Sequence, residues 1–247
     1  MSAPLSVRLR SNLRELGWRL GIDIRRFRPD ATMETRRNII LARQNVGLVL
    51  DVGANIGQYG TIIRANGYRG KIISFEPLSQ AFDQLRIKVS NDSQWDCHRL
   101  AIGDVDGSME INVASNSASS SFLKMNTKHL STAPKSKYSG IEPVTVSRLD
   151  GFMQSVGREC DPILLKADTQ GYELQVLRGS QGIFDRISVV EAELSLIELY
   201  EGQALYLEVI DFLASEGFRL VGVNPGFSDS SSGEMLQMDG LFVRSTT

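Results

Sequence analysis

An α/β fold built on a mostly parallel sheet is what the sequence predicts, and three observations support it. The chain has 247 residues, a length that suits one domain of this class with a short extension. Short apolar runs alternate along it with segments of helical periodicity, as in parallel strands joined by crossover helices. A turn rich in glycine follows the first apolar run, at the end of a strand where such sheets bind ligands.

The first half of the predicted sheet comes from three apolar segments. Residues 47–51 and 71–75 are short runs typical of strands buried on both faces, and residues 94–102 form a third strand. Between these strands, residues 58–66 and 79–89 have the composition and length of helices. This order is the one expected of parallel pairing with right-handed connections.

The second half continues the alternation. Strands are predicted at residues 162–168, 187–191 and 218–223, separated by helices at 172–179 and 204–216. A last strand at 239–244 follows a loop rich in glycine and serine, so the last two strands are expected to form a hairpin. We therefore predict a three-layer, Rossmann-like α/β domain over residues 46–247, with helices on both faces of the sheet.

Residues 1–45 form a separate, basic helical extension in this interpretation. The segment is rich in arginine, and Leu5, Leu9, Leu16 and Leu20 recur in it at helical spacing. One interpretation is that residues 1–37 contact an anionic membrane or a polyanionic substrate. The other, which we favour, is a helix that packs on the α/β domain and exposes its arginines to water.

Composition and charge exclude several classes of protein. Hydrophobic residues make up 42% and charged residues 23% of the chain, as in ordinary globular proteins. A net charge of −2 gives no reason to expect nucleic-acid binding. No apolar run approaches the length of a membrane span, and arginines interrupt the segment where a secretion signal would lie. We therefore expect a cytoplasmic protein. We also expect no metal site, since the cysteines and histidines show no metal-ligand spacing.

A serine-rich segment at residues 115–121 interrupts the pattern. Composition alone predicts a flexible linker there. Its place inside the domain, between a strand and a helix that begins near Leu149, favours a lid or a binding loop instead. His129 and Tyr200 are further candidates for contacting a substrate.

The most informative turn runs from Asp51 through Gly53, Asn55 and Gly57. Glycine at the end of the first strand lets the backbone approach a ligand closely. The pattern is Asp-x-Gly-x-Asn-x-Gly, whereas a dinucleotide fingerprint has glycine where Asn55 stands. Asp51 would also repel a pyrophosphate and attract an ammonium group. The turn therefore favours S-adenosylmethionine, which has an α-amino group and no phosphate, over a nicotinamide dinucleotide.

Two later segments extend the predicted cofactor site. Glu76 ends the second strand and is followed by Pro77, where an acid binds ribose hydroxyls in adenosine cofactors. A carboxylate there accepts hydrogen bonds from both hydroxyls. After the third strand, Ile102 is expected to cover one face of the adenine and Asp104 to accept from its exocyclic amine. The alternative for Asp51 and Glu76 is that they merely cap nearby helices, and the alternative for residues 101–104 is an ordinary turn at Gly103.

These motifs resemble those of the FkbM-type methyltransferases, a class I family that uses S-adenosylmethionine. The most specific block is Leu-Lys-Ala-Asp-Thr-Gln-Gly-Tyr-Glu-Leu-Gln-Val-Leu-Arg-Gly at residues 165–179, and the resemblance extends from about Val46 to Arg244. Other matching segments are residues 51–57, 75–77, 101–104, 191–193, 199–203 and 237–243. The resemblance implies a seven-stranded sheet in the order 3-2-1-4-5-7-6 with an antiparallel last strand. It also implies methyl transfer, usually to oxygen, on small-molecule, sugar or lipid-linked acceptors.

One position departs from that family. Many members have glutamate at the position of Gln170. This chain therefore lacks the second carboxylate that those members have beside the residue that matches Asp168. Divalent metal ions favour charged oxygen ligands, so this departure argues against a metal at the pair.

Three residues are candidates for the chemistry. Transfer to an oxygen requires that the acceptor be aligned with the methyl carbon and lose its proton. Asp168 ends the fourth predicted strand and is expected to orient the acceptor or take its proton. Lys166 points to the same face and is expected to hold or tune Asp168, the alternative being a lysine that only extends to solvent. Glu193 is a candidate for substrate recognition or base catalysis, the alternative being a structural hydrogen bond.

Two other functions stay open from the sequence. A nicotinamide-dependent oxidoreductase would need a complete Gly-x-Gly-x-x-Gly turn and a Tyr-x-x-x-Lys or similar relay, and neither is present. A non-catalytic protein that binds an adenosine cofactor is not distinguished by sequence alone.

Overall fold

The computed structural model describes residues 5–22, 32–155 and 162–245, with side chains from residue 12 onward. Its strands are β1 (Leu48–Val52), β2 (Lys71–Phe75), β3 (Trp95–His98), β4 (Ala101–Ile102), β5 (Gly107–Ala114), β6 (Tyr138–Ser147), β7 (Ile163–Ala167), β8 (Ile187–Ser195), β9 (Phe218–Pro225) and β10 (Gln237–Arg244). Its α-helices are α1 (Leu5–Arg19), α2 (Met33–Arg43), α3 (Gln58–Ala65), α4 (Ser79–Val89), α5 (Thr127–Thr132), α6 (Leu149–Ser155), α7 (Glu173–Arg178) and α8 (Tyr206–Ser215).

Seven of these strands form the main sheet, in the order β3-β2-β1-β7-β8-β10-β9. When they are counted by themselves along the chain, the order is 3-2-1-4-5-7-6. Neighbouring strands are parallel except β10, which is antiparallel to both β8 and β9. The predicted fold class is confirmed, including the antiparallel last strand.

A second sheet was not predicted, and it changes the third predicted strand. Residues 94–102 form two strands, because β3 pairs with β2 while β4 leaves the main sheet and pairs with β6. Strands β5 and β6 form an antiparallel pair, and the order of this sheet is β4-β6-β5. The serine-rich segment therefore follows β5, and β6 separates it from α6.

The main sheet is buried between two layers of helices because its strands present apolar side chains to both faces. On β1, Leu48, Leu50 and Val52 belong to the core shared with α6, α7 and α8. Val49 points the other way and packs in the core shared with α2, α3 and α4. Successive strand residues alternate between faces, so one five-residue strand contributes to both cores.

The two helices of the N-terminal extension behave differently. α2 packs on the sheet through Met33 and Leu41, and its Arg37 is buried, whereas we expected the arginines to face water. α1 leaves Leu13, Leu16 and Leu20 exposed. Three further arginines of this basic segment, Arg25, Arg26 and Arg28, lie outside the described residues. Within the described part of the chain, no helix is long and apolar enough to cross a membrane.

Candidate active site

A cavity of about 410 Å³ opens at the edge of the main sheet where β1, β2, β7 and β8 end. This is the edge at which open parallel sheets bind ligands, because the connections that follow the strands diverge there. Most of the residues predicted for the site lie in its wall: Gly53, Asn55, Glu76, Pro77, Ile102, Lys166, Asp168 and Glu193. The cavity is therefore the place where the predicted cofactor and catalytic residues meet.

The turn after β1 has the backbone conformation that its sequence predicts. Gly53, Asn55 and Gly57 have positive φ angles of 75°, 48° and 82°. A Cβ on Gly53 would lie 1.9 Å from the carbonyl oxygen of Asp168, so only glycine lets this turn approach the end of β7. Asparagine is among the few other residues that tolerate the left-handed region, which accounts for Asn55.

Glu76 is held rigidly in the cavity wall. Its Oε2 accepts a hydrogen bond from the backbone N–H of Asn55 at 2.8 Å, and its Oε1 accepts one from Leu78 at 2.9 Å. Burial raises the pKa of Glu76 to about 7, although both N–H groups favour the ionised form. The carboxyl group thus links the first turn to the end of β2 and titrates near neutral pH.

The two residues predicted to contact adenine differ in their placement. Ile102 is buried and lines the cavity together with Leu100 and Phe75. Asp104 lies outside the cavity wall, and its backbone carbonyl accepts a hydrogen bond from Arg148 at 3.1 Å. The apolar surface expected beside an adenine is present, but the expected acceptor for its amine does not line the cavity.

Asp51 also departs from its predicted position, because its side chain points beneath the turn instead of into the cavity. Strand alternation places it on the same face as Val49, under α3. It is fully buried, accepts a hydrogen bond from Ser74 at 3.0 Å, and lies 3.3 Å from the ammonium group of Lys166. Burial raises the pKa of Asp51, and Lys166 opposes that rise. Asp51 therefore acts on the cavity through its charge and through Lys166, without lining the cavity itself.

Lys166 connects the first turn to the candidate catalytic acid. Its ammonium group donates to the backbone carbonyls of Val52 and Gly53 at 3.3 and 3.1 Å and lies 3.5 Å from Asp168 Oδ2. Burial by itself would lower the pKa of Lys166, but the charges of Asp168 and Asp51 raise it. Lys166 stays charged and holds Asp168, as the sequence predicts, and it is too buried to be a solvent-facing lysine.

Gln170 joins the two acids that were predicted for the chemistry. Its Nε2 donates to Asp168 Oδ1 at 3.0 Å and to Glu193 Oε2 at 3.1 Å. Its Oε1 accepts from the hydroxyl of Tyr200 at 2.9 Å, and Gln237 donates a second hydrogen bond to Glu193 at 2.7 Å. From the sequence, Gln170 was notable only because it is not a carboxylate. In the structure its amide lies between Asp168 and Glu193 and donates a hydrogen bond to each.

The acids of this region have different environments. Burial, then the charges of Asp168 and Glu173, raise the pKa of Glu193 well above its ordinary value. Asp168 is more open, with 41% of its side chain exposed. Both acids line the cavity, so an acceptor bound there would have access to either of them.

Carboxylate oxygens of Asp168, Glu173 and Glu193 lie within 4.8 Å of one another, a spacing at which acids can hold a cation. Glu173, however, accepts hydrogen bonds from the backbone N–H groups of Thr169 and Gly171. The other two acids are bound by the amide of Gln170. At least one oxygen of each acid thus already binds an N–H donor, and we propose no cation here.

Arg37 is a cavity residue for which the sequence provided no specific signal. Its guanidinium forms two hydrogen bonds with Glu191, at 2.6 and 2.5 Å, and the hydroxyl of Tyr59 donates to the same carboxylate at 2.8 Å. Glu191 lies beside Lys166 in the register of β7 and β8. Arg37 of the N-terminal extension and Glu191 of β8 therefore form a buried ion pair in the wall of the cavity.

The serine-rich segment spans the cavity between its two functional regions. Ser117 donates to the side chain of Asn55 at 2.9 Å, at the first turn. Ser121 donates to the backbone carbonyl of Gln170 at 2.7 Å, at the acid network. Ser117 and Ser120 line the cavity. The segment is part of the cavity wall and is held by hydrogen bonds at both ends, and its predicted role as a binding loop stays a prediction.

The charge of the cavity wall is predominantly negative. Two cations, Arg37 and Lys166, line it. The carboxylate side chains that line it are Glu34, Glu76, Asp168, Glu191, Glu193 and Asp239. Such a wall disfavours an anionic ligand such as a pyrophosphate and favours a ligand that carries positive charge.

A three-layer α/β fold of this strand order, with an acid-lined cavity at the carboxyl ends of its parallel strands, places the protein in the class of Rossmann-like methyltransferases. More specifically, the chain belongs to the FkbM methyltransferase family, since the family model described as "Methyltransferase FkbM domain" matches residues 51–220.

Individual relatives agree with this assignment. The protein called 2-O-methyltransferase NoeI from Sinorhizobium fredii is 25% identical over 205 residues, which cover 80% of this chain and 83% of that protein. Methyltransferase 1 from Beauveria bassiana is 24% identical over 192 residues, 73% of this chain and 75% of that protein. Among solved structures, the FkbM methyltransferase from Methylobacillus flagellatus KT matches with a TM-score of 0.51 and 13% identity, over 81% of this chain and 44% of that one. This last likeness concerns the fold alone.

Proposed function

We propose that this protein uses S-adenosylmethionine to methylate a hydroxyl oxygen of a small-molecule, sugar or lipid-linked acceptor. The observation that carries the proposal is the single cavity that joins Glu76, at the end of β2, to Asp168 and Glu193, at the ends of β7 and β8. A ribose-binding acid and a proton-accepting acid are the two groups that such a reaction needs from the protein.

The residues of the cavity fit this cofactor. Its volume of about 410 Å³ falls in the range of small-molecule sites, which is roughly 300–1,000 Å³. Each oxygen of Glu76 accepts one backbone hydrogen bond and keeps a lone pair for a ribose hydroxyl. The acidic wall suits a ligand with sulfonium and ammonium charges, and it disfavours the pyrophosphate of a nicotinamide dinucleotide.

When bound, the cofactor supplies an electrophilic methyl carbon on a sulfonium whose leaving group is neutral. The protein's own contribution is to align the acceptor oxygen and receive its proton. Asp168 suits both roles, because Lys166 and Gln170 hold its two oxygens in place while 41% of the side chain stays exposed. The part of the Asp168 carboxylate that faces the cavity is therefore open to an acceptor hydroxyl.

Glu193 is better suited to recognition than to proton removal. Its raised pKa favours the protonated form, and a protonated carboxyl group cannot act as a base. Both of its amide donors, Gln170 and Gln237, bind Oε2, which leaves Oε1 to carry the proton. We infer that Oε1 donates a hydrogen bond to the acceptor while Asp168 accepts one from it.

The choice of oxygen as the acceptor atom rests on chemistry and on a relative. A hydroxyl must lose a proton on methylation, which gives Asp168 a defined task. NoeI, named a 2-O-methyltransferase, matches 80% of this chain. Its printed name supports a sugar or other hydroxyl-bearing acceptor without identifying one.

Calorimetric titration with S-adenosylhomocysteine and with NAD⁺ tests the cofactor, and transfer of a labelled methyl group to a panel of sugar and lipid-linked alcohols tests the reaction. We expect saturable binding of the first ligand, no binding of NAD⁺, and formation of a methyl ether. Asp168→Asn should retain binding and lose at least about a hundredfold in turnover. The matched control is Asp211→Asn on the exposed face of α8, which should behave as the unaltered protein.

Each outcome of these experiments separates one alternative. Binding of NAD⁺ in place of S-adenosylhomocysteine would favour the oxidoreductase. Tight binding of S-adenosylhomocysteine without turnover on any alcohol would favour a non-catalytic protein. Full activity of the Asp168→Asn protein would show that the catalytic assignment is incorrect even if the cofactor is right.

A further inference from the structure

Leucines recur along one face of α1 as a narrow apolar stripe, and those whose side chains the structure describes are exposed. At about 100° per residue, leucines at positions 5, 9, 13, 16 and 20 fall within an arc of about 80°. The three whose side chains are described, Leu13, Leu16 and Leu20, are 48%, 57% and 70% exposed. Ile22, just beyond the helix, is 56% exposed. A contiguous apolar patch of this kind marks an interaction surface.

The charge of this segment is opposite to that of the rest of the chain. Residues 1–28 contain seven arginines against Glu15 and Asp23, a net charge of +5, so the remaining residues carry −7 of the total of −2. On the helix, Arg8 and Arg19 lie along one edge of the leucine stripe. Arg10 and Arg14 lie on the other side, so that the four arginines stand about 40–100° from the nearer edge of the stripe. An apolar stripe bordered by cations on both sides is the arrangement of helices that lie in a membrane interface.

We propose that α1 binds an anionic lipid surface, with its leucine stripe among the acyl chains and its arginines at the headgroups. Each arginine that reaches an anionic surface strengthens binding by about fivefold, and the effect weakens with added salt. Thirteen residues separate α1 from α2, and α2 supplies Arg37 to the cavity. Such a span extends at most about 45 Å, which is the farthest that a lipid surface bound by α1 could lie from the start of α2.

A second copy of the chain is the main alternative occupant, and the charges disfavour it. Leu9, Leu13, Leu16 and Leu20 have the spacing of coiled-coil core positions. The positions that would flank such a core are Arg10, Asn12, Gly17 and Arg19, with no acid among them. Pairing two such helices would bring arginines together without a carboxylate to neutralise them.

Flotation of the full chain with lipid vesicles tests the proposal. We expect binding to vesicles of phosphatidylcholine with phosphatidylglycerol, little binding to phosphatidylcholine alone, and release by salt. The Arg10→Gln/Arg19→Gln protein should bind about 25-fold more weakly. The Leu13→Glu/Leu16→Glu protein should not bind. The matched control is Ile87→Glu, because Ile87 is 69% exposed on α4, far along the sequence from α1.

Circular dichroism and thermal unfolding check that each variant is folded, and vesicle binding is read without reference to methyl transfer. Equal binding to both kinds of vesicle, no binding by the unaltered protein, or unchanged binding by the Leu13→Glu/Leu16→Glu protein would overturn the proposal. A dimer by light scattering that the leucine substitutions dissociate, without vesicle binding, would instead assign the stripe to a second copy.

Discussion

Lowering the pH should weaken binding of S-adenosylhomocysteine through one residue, Glu76. Burial raises the pKa of this carboxyl group to about 7. A ribose hydroxyl donates its hydrogen bond to the ionised carboxylate. The protonated carboxyl group accepts fewer hydrogen bonds, and its own O–H group needs an acceptor. Affinity should therefore fall as the pH drops through the neutral range, where ordinary glutamates have long been ionised.

The size of the effect follows from the pKa. With a pKa of about 7, roughly 3% of Glu76 is ionised at about pH 5.5, so affinity should be about 30-fold lower than at about pH 8 if only the ionised form binds. Stability should move in the opposite direction. A carboxyl group whose pKa rises from 4.5 to about 7 on folding contributes about 3 kcal/mol that is complete below pH 4.5 and is lost as the pH rises through 7.

Isothermal titration across this pH range measures the affinity for S-adenosylhomocysteine. Two variants show whether Glu76 causes the pH dependence. Glu76→Gln keeps the shape but not the charge, so it should bind weakly with little pH dependence. Glu110→Gln, at an exposed position on β5, should titrate as the unaltered protein does. Affinity that is constant between these pH values, or the same pH dependence in Glu76→Gln, would refute this reasoning.

Three other substitutions have defined outcomes. Gly53→Ala places a Cβ 1.9 Å from a carbonyl oxygen and should lower the melting temperature and abolish ligand binding, whereas Gly67→Ala, at another positive φ but with open space, should cost only about 1 kcal/mol. Gln170→Glu replaces the amide that donates to Asp168 and Glu193 with another acid, so kcat should fall while the Kd for S-adenosylhomocysteine stays the same. An unchanged kcat would contradict the role of the amide. Arg37→Met leaves Glu191 charged and buried and should cost about 3–5 kcal/mol in urea unfolding, most of which the added change Glu191→Gln should restore.

Several elements follow directly from local sequence. The helix predicted at residues 79–89 and the strand at 71–75 are found with those bounds, because short apolar runs and helical periodicity are local patterns. The turn at Gly53 and Asn55 adopts the positive φ angles that its residue types permit. The placement of Glu76 in a cavity beside that turn follows from chain order, since parallel strands end at one edge.

Other features depend on pairings between distant residues. The second sheet was missed because β4 and β6 join residues about 45 positions apart, and no local signal distinguishes such a strand from one in the main sheet. The ion pair of Arg37 with Glu191 spans 154 positions. Gln170 shows the same limit, because its role depends on Glu193, Tyr200 and Gln237, which come together only in the folded chain.

The sequence by itself determined the class of fold, the edge of the sheet at which the cavity opens, and the acids near that edge. These follow from periodicity, glycine positions and the order of strands, all of which are properties of short segments. Only the tertiary structure decided that Asp51 turns away from the cavity to pair with Lys166, while Asp168 stays open to it. The physical reason is that the direction and ionisation of a buried acid depend on the charges and donors packed around it, and most of these come from other strands and helices.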